Sequence, residues 1–306
     1  MTGYRTAFIA IALTLSHAAT VAAGPFEDAN AAYEKGDYAT ALQLWRPLAD
    51  QGDASAQIRM GASYADGSGV TQSYPEAMNW FRKAAEQGNA RAQFNLGTLF
   101  YNGQGSPRNY PEALKWFKLA ADQGHPAAGY NLAVIYAQGQ GVPKNETEAG
   151  QWYRISAEQG HSGAQFAIAL RYAKGQGVAQ SDSEAVKWAT LAANQGHIIA
   201  QYNLGIMYAA GRGVKQNQAE AAKWYKLAAE QGYPLAQSSL ALQYKLGLGV
   251  PQDTVQALMW VEVASARGDS RAAKERDALI QSMSPAQIAQ AKKMAREWKP
   301  AAPTPR

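Results

Sequence analysis

Apolar and polar positions in this chain recur every 36 residues. The dipeptide Gln-Gly returns at Gln51-Gly52, Gln87-Gly88, Gln123-Gly124, Gln159-Gly160, Gln195-Gly196 and Gln231-Gly232. Arg267-Gly268 closes the series, and no step carries an insertion or deletion. A strict period of about 20–50 residues marks a solenoid, in which one supersecondary unit buries its apolar face only against its neighbours.

Aligning the chain with itself at this spacing shows two helices per period. The column Asp37, Ser73, Asn109, Asn145, Ser181, Asn217, Asp253 holds only residues that cap helix N-termini, and Glu76, Glu112, Glu148, Glu184, Glu220 and Gln256 follow three residues on. That pairing predicts a capping box at the start of each helix. Within the helix, Ala41, Ala77, Ala113, Ala149, Ala185, Ala221 and Ala257 alternate with Trp80, Trp116, Trp152, Trp188, Trp224 and Trp260 on one face. Small residues let two backbones approach and the indole fills the space beside them, so these tryptophans are read as core and not as an aromatic cage.

The second helix follows the Gln-Gly turn and reads, for example, Ala92-Gln93-Phe94-Asn95-Leu96-Gly97. Its Leu96 position holds Met60, Leu132, Ile168, Leu204 and Leu240 in other periods, and its Gly97 position is always Gly or Ala. Paired glycines from Gly67/Gly69 to Gly247/Gly249 end it, because glycine reaches the left-handed conformation that a helix C-terminus uses. At the ends the period changes. Phe26–Lys35 reads as a lone second-type helix, Ser270–Gln281 starts a unit with no Gly-x-Gly after it, and Ser284-Pro285 opens a charged helix to about Trp298.

The string Ala-x-Ala-Gln-Phe-Asn-Leu-Gly-x-x-x-Tyr, then Gly-x-Gly-Val, then Glu-Ala-x-x-Trp-x-x-x-Ala-Ala-Glu-Gln-Gly resembles the Sel-one-like repeat, a relative of the tetratricopeptide repeat. The resemblance implies an all-α, right-handed α-solenoid whose Ala-Gln-Phe-Asn-Leu helices line the concave side. It also implies a scaffold or adaptor that binds proteins or peptides; exported bacterial members are associated with envelope signalling, polysaccharide secretion and host contact. The expected organisation is a leader at 1–23, an N-terminal capping helix at 24–36, the solenoid at 37–268, capping helices at 269–299 and a disordered tail at 300–306.

The leader rests on Arg5, the apolar run Ala7–Leu15 and the small residues Val21-Ala22-Ala23, which together read as a cleaved export signal and place the protein in the periplasm or outside the cell. A run of nine residues, eight of them apolar, is too short to span a bilayer. Without Arg5 the chain has 28 basic against 24 acidic residues, a net +4 spread along its length, which does not indicate a nucleic-acid partner. Cysteine is absent, so stability has to come from packing.

Catalytic and metal motifs are sparse. His125, His161 and His197 occupy one column, and equivalent positions in a solenoid lie about 10 Å apart, too far to share a zinc ion with ligands about 2 Å from the metal. They are read as helix-start residues. No third glycine or Gly-Lys-Ser/Thr follows the Gly-x-Gly loops, and no Gly-x-Ser-x-Gly, His-Glu-x-x-His or Ser-x-x-Lys occurs. Neither an enzyme nor a cofactor is expected. A β-lactamase-like or penicillin-binding activity, described for cysteine-rich exported relatives, and a purely structural role in an envelope complex are the alternatives.

One constellation has the chemistry of a binding groove. Phe94, Tyr130, Phe166 and Tyr202 form an aromatic column beside Asn95, Asn131 and Asn203, with Arg59 in the asparagine column of the first full unit. Asparagines spaced along a groove hydrogen-bond a peptide backbone, aromatics add contact area, and an arginine meets a carboxylate. The competing reading packs the aromatics between repeats and leaves the asparagines merely solvated. A monomer is expected. N-terminal sequencing of protein from the expressing cell is expected to begin near Gly24; intact Met1 in the cytoplasm would remove the export reading.

Overall fold

The computed structural model describes residues 24–301. The predicted leader, and the predicted tail beyond its first two residues, lie outside the described residues. Sixteen helices and no strand occur among the described residues. The even-numbered helices are α2 (Tyr38–Asp50), α4 (Tyr74–Glu86), α6 (Tyr110–Asp122), α8 (Glu146–Glu158), α10 (Asp182–Asn194), α12 (Gln218–Glu230) and α14 (Thr254–Ala266). The odd-numbered ones are α1 (Pro25–Glu34), α3 (Ala54–Asp66), α5 (Ala90–Asn102), α7 (Pro126–Gln138), α9 (Ser162–Lys174), α11 (Ile198–Ala210), α13 (Pro234–Leu246) and α15 (Ser270–Ile280). Each packs on its neighbours in sequence, giving an all-α solenoid, and the last helix, α16 (Pro285–Glu297), turns back onto α14.

Local chemistry sets the boundaries. Every even-numbered helix from α2 to α14 begins with the expected Asp, Ser or Asn, whose side chain accepts a hydrogen bond from the N–H three residues on. The reciprocal half of the capping box differs from expectation. Among the described residues it forms only at Ser284 and Gln287. In two repeats the glutamate reaches instead along its own helix, where Glu148 accepts from Trp152 Nε1 and Glu184 from Trp188 Nε1. The first glycine of each pair closes an odd-numbered helix in the left-handed conformation. The second glycine lies against the first turn of the preceding even-numbered helix; a Cβ on Gly105 would stand 2.7 Å from the Tyr74 carbonyl carbon.

Two adjacent columns fill the core. Five of the six periodic tryptophans are buried, but Trp152 is only half-buried. The next column, Trp45, Phe81, Phe117, Tyr153, Ala189, Tyr225 and Val261, is buried throughout. Its rings face the small column of the odd-numbered helix before it, and a Cβ on Gly97 would stand 2.8 Å from the Phe117 ring. Ring and glycine are thus one packing unit. Ala169 stands opposite the smaller Ala189, and both are buried in the same cluster.

A ladder of carboxamides runs along the Gln-Gly edge. Gln57, Gln93, Gln165 and Gln201 are buried, and each donates through Nε2 to an alanine carbonyl eight residues earlier. Each accepts at Oε1 from the Gln of the next Gln-Gly turn: Gln87 at 2.8 Å, Gln123 at 2.7 Å, Gln195 at 2.7 Å and Gln231 at 2.8 Å. The series is interrupted once, where Gly129 takes the glutamine position. There Ser156, in a column otherwise mostly alanine, donates from Oγ to the Pro126 carbonyl at 2.7 Å. At the far end Gln237 faces Arg267 in place of glutamine, and its Oε1 is buried without a partner.

The C-terminal end is closed by polar and aromatic groups. α15 carries the Arg276–Asp277 pair where inner repeats carry Met60 and Gly61. Trp298 meets Trp260 edge-on at 5.8 Å. Beyond it the Ala301 N–H donates to the Glu230 carbonyl at 2.8 Å. Phe117, fully buried, and Trp152, half-buried with its N–H on Glu148, give a direct comparison. Phe117→Ala is expected to cost about 3–5 kcal/mol and Trp152→Ala clearly less. Hydrogen exchange should show the Phe117→Ala loss concentrated in α5 to α7. Equal costs, or a loss spread evenly over the chain, would contradict this packing.

Candidate partner-binding face

The odd-numbered helices present one face away from their even-numbered partners. In α5 it holds Arg91, Asn95, Thr98 and Asn102, a stripe at helical spacing left outside the core. The asparagine column lies on this face and the aromatic column at its edge. Arg59, Phe94, Asn95, Tyr130, Asn131, Phe166, Tyr202 and Asn203 are all half-buried.

The aromatics belong to the junctions between repeats. Phe94 stacks on His125 with ring centroids 4.5 Å apart, Tyr130 on His161 at 4.9 Å, and Phe166 lies at 4.7 Å from His197. Tyr202 meets Tyr233 at 5.2 Å in the same relation. Each ring therefore bridges one odd-numbered helix to the first residue of the next. The asparagines differ from one another. Asn203 donates to the Ile199 carbonyl of its own helix at 2.9 Å, whereas Asn95 and Asn131 make no side-chain hydrogen bond among the described residues. Arg59 lies over the Trp45 ring, 5.7 Å from its centroid.

The histidines are helix caps, as their column predicts. His125 Nδ1 accepts from the Ala128 N–H, His161 from Ala164 and His197 from Ala200. Burial, supported by the charge of Arg91, holds the His125 pKa below its ordinary value of 6.5. Among the described residues no group of three His, Cys, Asp or Glu is placed to hold a metal ion.

Sequence reasoning missed one polar cluster. Arg171 occupies a column that is Ser63, Leu99, Ile135, Met207 and Gln243 in the other repeats, and it is buried. It pairs with Glu146 at 2.6 Å and lies 4.8 Å from the Tyr153 ring centroid. Lys144 and Arg171 together hold the Glu146 carboxyl below its usual range, and burial pushes the Tyr153 phenol up to about 12. The visible signal was a paired change: Glu146 replaces the Tyr74 and Tyr110 of earlier repeats where Arg171 replaces Leu99 and Ile135. The ion pair joins the first turn of α8 to α9 and is structural. A shallow hollow of about 900 Å³ lies elsewhere, on the Gln-Gly edge, lined by His161, Gln195, Trp224 and Leu227 among others.

Helical hairpins stacked in register, with an open face and buried glutamine rungs, define a helical-repeat solenoid of the kind that offers an extended surface. The chain matches the Sel1 repeat at residues 30–53, 54–89, 90–125, 126–161, 162–197, 198–233 and 234–269, and it belongs to that family. A Sel1 repeat protein from Oxalobacter formigenes is 36% identical, with a TM-score of 0.71 over 79% of this chain and 99% of that one. A protective antigen present in uropathogenic Escherichia coli strains, displaying an SLR fold, is 30% identical over 90% of this chain and 76% of that one, with a TM-score of 0.46. No curated protein matches the chain. Sel1 repeat proteins are in general non-catalytic protein-interaction scaffolds.

The His125 cap makes stability depend on pH. Only neutral imidazole can accept the Ala128 N–H, and the folded-state pKa of His125 lies below the unfolded one. Its contribution is therefore complete above about pH 6.5 and is lost as pH falls through that value toward the folded pKa. Thermal melts at pH 7.5 and 5.5 should show a smaller acid-induced loss for His125→Asn, which keeps a capping acceptor like Asn89, than for the wild type. Identical losses would remove His125 as a contributor.

Proposed function

We propose that this protein is a non-enzymatic scaffold that holds a protein or peptide segment along the outer face of its odd-numbered helices. The observation that supports this reading is the unused hydrogen-bonding capacity of Asn95 and Asn131 on a face fixed in place by packing. An unpaired carboxamide on a rigid surface is ready to meet a peptide N–H or C=O without reorganising. Family membership supports the same class of role, and the leader-like segment at 1–23 supports action in the periplasm or outside the cell.

A photo-activatable phenylalanine at position 131 is expected to cross-link a partner from periplasmic extract, and the same group at exposed Arg82 on the opposite helix is not. Asn95→Ala with Asn131→Ala should leave the melting temperature almost unchanged, because no intramolecular bond is lost; such substitutions shift stability by less than about 0.5 kcal/mol. Affinity for the captured partner should fall more than about tenfold, or roughly 1.4 kcal/mol. Cross-linking only from position 82 would move the binding surface to the even-numbered helices.

A further inference from the structure

The open face of the odd-numbered helices is not uniform along the array. On α3 and α5 it carries Arg59, Arg91 and Asn95, with Asp66 and Asn102 at the C-terminal ends. On α9, α11 and α13 the stripe includes Leu170, Ile199, Ile206, Leu242 and Leu246, which are 36% to 53% exposed, beside Asn203 and Ser239 in the asparagine column. The column through Thr98 reads Ala62, Thr98, Val134, Leu170, Ile206 and Leu242, small at its start and large and aliphatic from Leu170 on. Scattered exposed leucines are ordinary, but a contiguous row on three successive helices is the mark of an interaction surface.

Charge distinguishes the other end. Neither Arg59 nor Arg91 forms an ion pair among the described residues, whereas Arg212, Lys245 and Arg271 farther along the chain each do. The Asp66 carboxylate accepts from the Ser68 N–H. Lys174 is the one charge of this stripe on α9, α11 and α13. The face thus offers two guanidinium groups without an ion pair at its beginning, Arg59 lying over the Trp45 ring, and aliphatic side chains at its end.

We infer that the occupant of this face is an amphipathic peptide segment with aliphatic anchors at one end and carboxylates at the other, laid along the array with its acidic end on α3 and α5. This rests on the reading of the face as the binding surface. Four repeats separate α5 from α13, roughly 40 Å at about 10 Å per packed helix layer, a length that about 12 extended residues cover. Burial of the aliphatic anchors supplies affinity, and the arginines fix direction.

The test is fluorescence anisotropy of the intact protein with a dye-labelled 14-residue peptide, four leucines at one end and four glutamates at the other, against a scrambled peptide of the same composition. The block peptide, in one of its two chain directions, is expected to bind at least tenfold more tightly than the scramble. Ile206→Asp with Leu242→Asp should weaken it more than tenfold, and Arg91→Glu should weaken it less while flattening its salt dependence. Should the double aspartate variant lose its helical signal, Ile206→Thr with Leu242→Gln takes its place. Equal binding of block and scrambled peptides, or no binding of either block direction, overturns the inference. So does a concentration-dependent dimer that Leu242→Asp abolishes, which would make a second copy the occupant. If position 131 cross-links a partner while the block peptides fail, the binding face stands and only the polarity assignment falls; if both fail, both fall.

Discussion

A single close contact sets the geometry of this molecule: the ring at the Phe117 position pressed against the small residue at the Gly97 position. A 13-residue helix has little stability of its own in water, so each helix needs a neighbour that approaches closely enough to exclude solvent. Glycine or alanine at the contact permits that approach, and the ring fills the remaining volume. Once two helices are seated in this way, the Gln-Gly turn stands at a fixed height. Its glutamine then reaches the buried glutamine thirty residues earlier at hydrogen-bond distance. The ladder tolerates no slip in register, because leaving a buried carboxamide unpaired costs about 1–3 kcal/mol per group. This disfavours insertion wherever a rung is present, and at Gly129, where none is, the Ser156 bond to the Pro126 carbonyl spans the junction.

Most of the fold was legible because its determinants are local or strictly periodic. Caps, glycine stops and the alternation of alanine and tryptophan depend on spacing alone, and the structure places helices where those signals fall. The core was less complete in the sequence. Tryptophan drew the eye to one column, while the adjacent Phe81–Phe117–Tyr153 column carries the closer contact; successive residues on a helix lie about 100° apart and both can face inward between two neighbours. The glutamine ladder was written in the sequence as two recurrent glutamine columns, broken only at Gly129 and Arg267, but only three-dimensional proximity shows that they bond to each other. Glu148 and Glu184 show the reverse case, in which a local signal for a capping box yields to a longer-range partner, the indole N–H.

The candidate site divides along the same line. The aromatic column was open to both a binding and a packing reading, and its rings sit on the cap residues of the next repeat. The asparagine column could not be resolved from spacing, because Asn203 turns back on its own helix while Asn95 and Asn131 do not. Buried Arg171 shows why: a charged residue at an inward-facing position is interpretable only when Glu146 is seen beside it.

Repetition makes the chain its own control. Positions fixed by packing vary little from unit to unit, as alanine at all seven positions from Ala41 to Ala257 demonstrates. Positions on the outer face escape that constraint, and aimless variation there would mix charge, amide and aliphatic groups along the array. In the column through Thr98 the change instead runs in one direction, from Ala62 and Thr98 to Leu170, Ile206 and Leu242. The exposed part of each leucine adds nothing to the repeat interface and carries a solubility cost. The direction of the gradient therefore points to something outside the chain that reads it, which packing alone does not require.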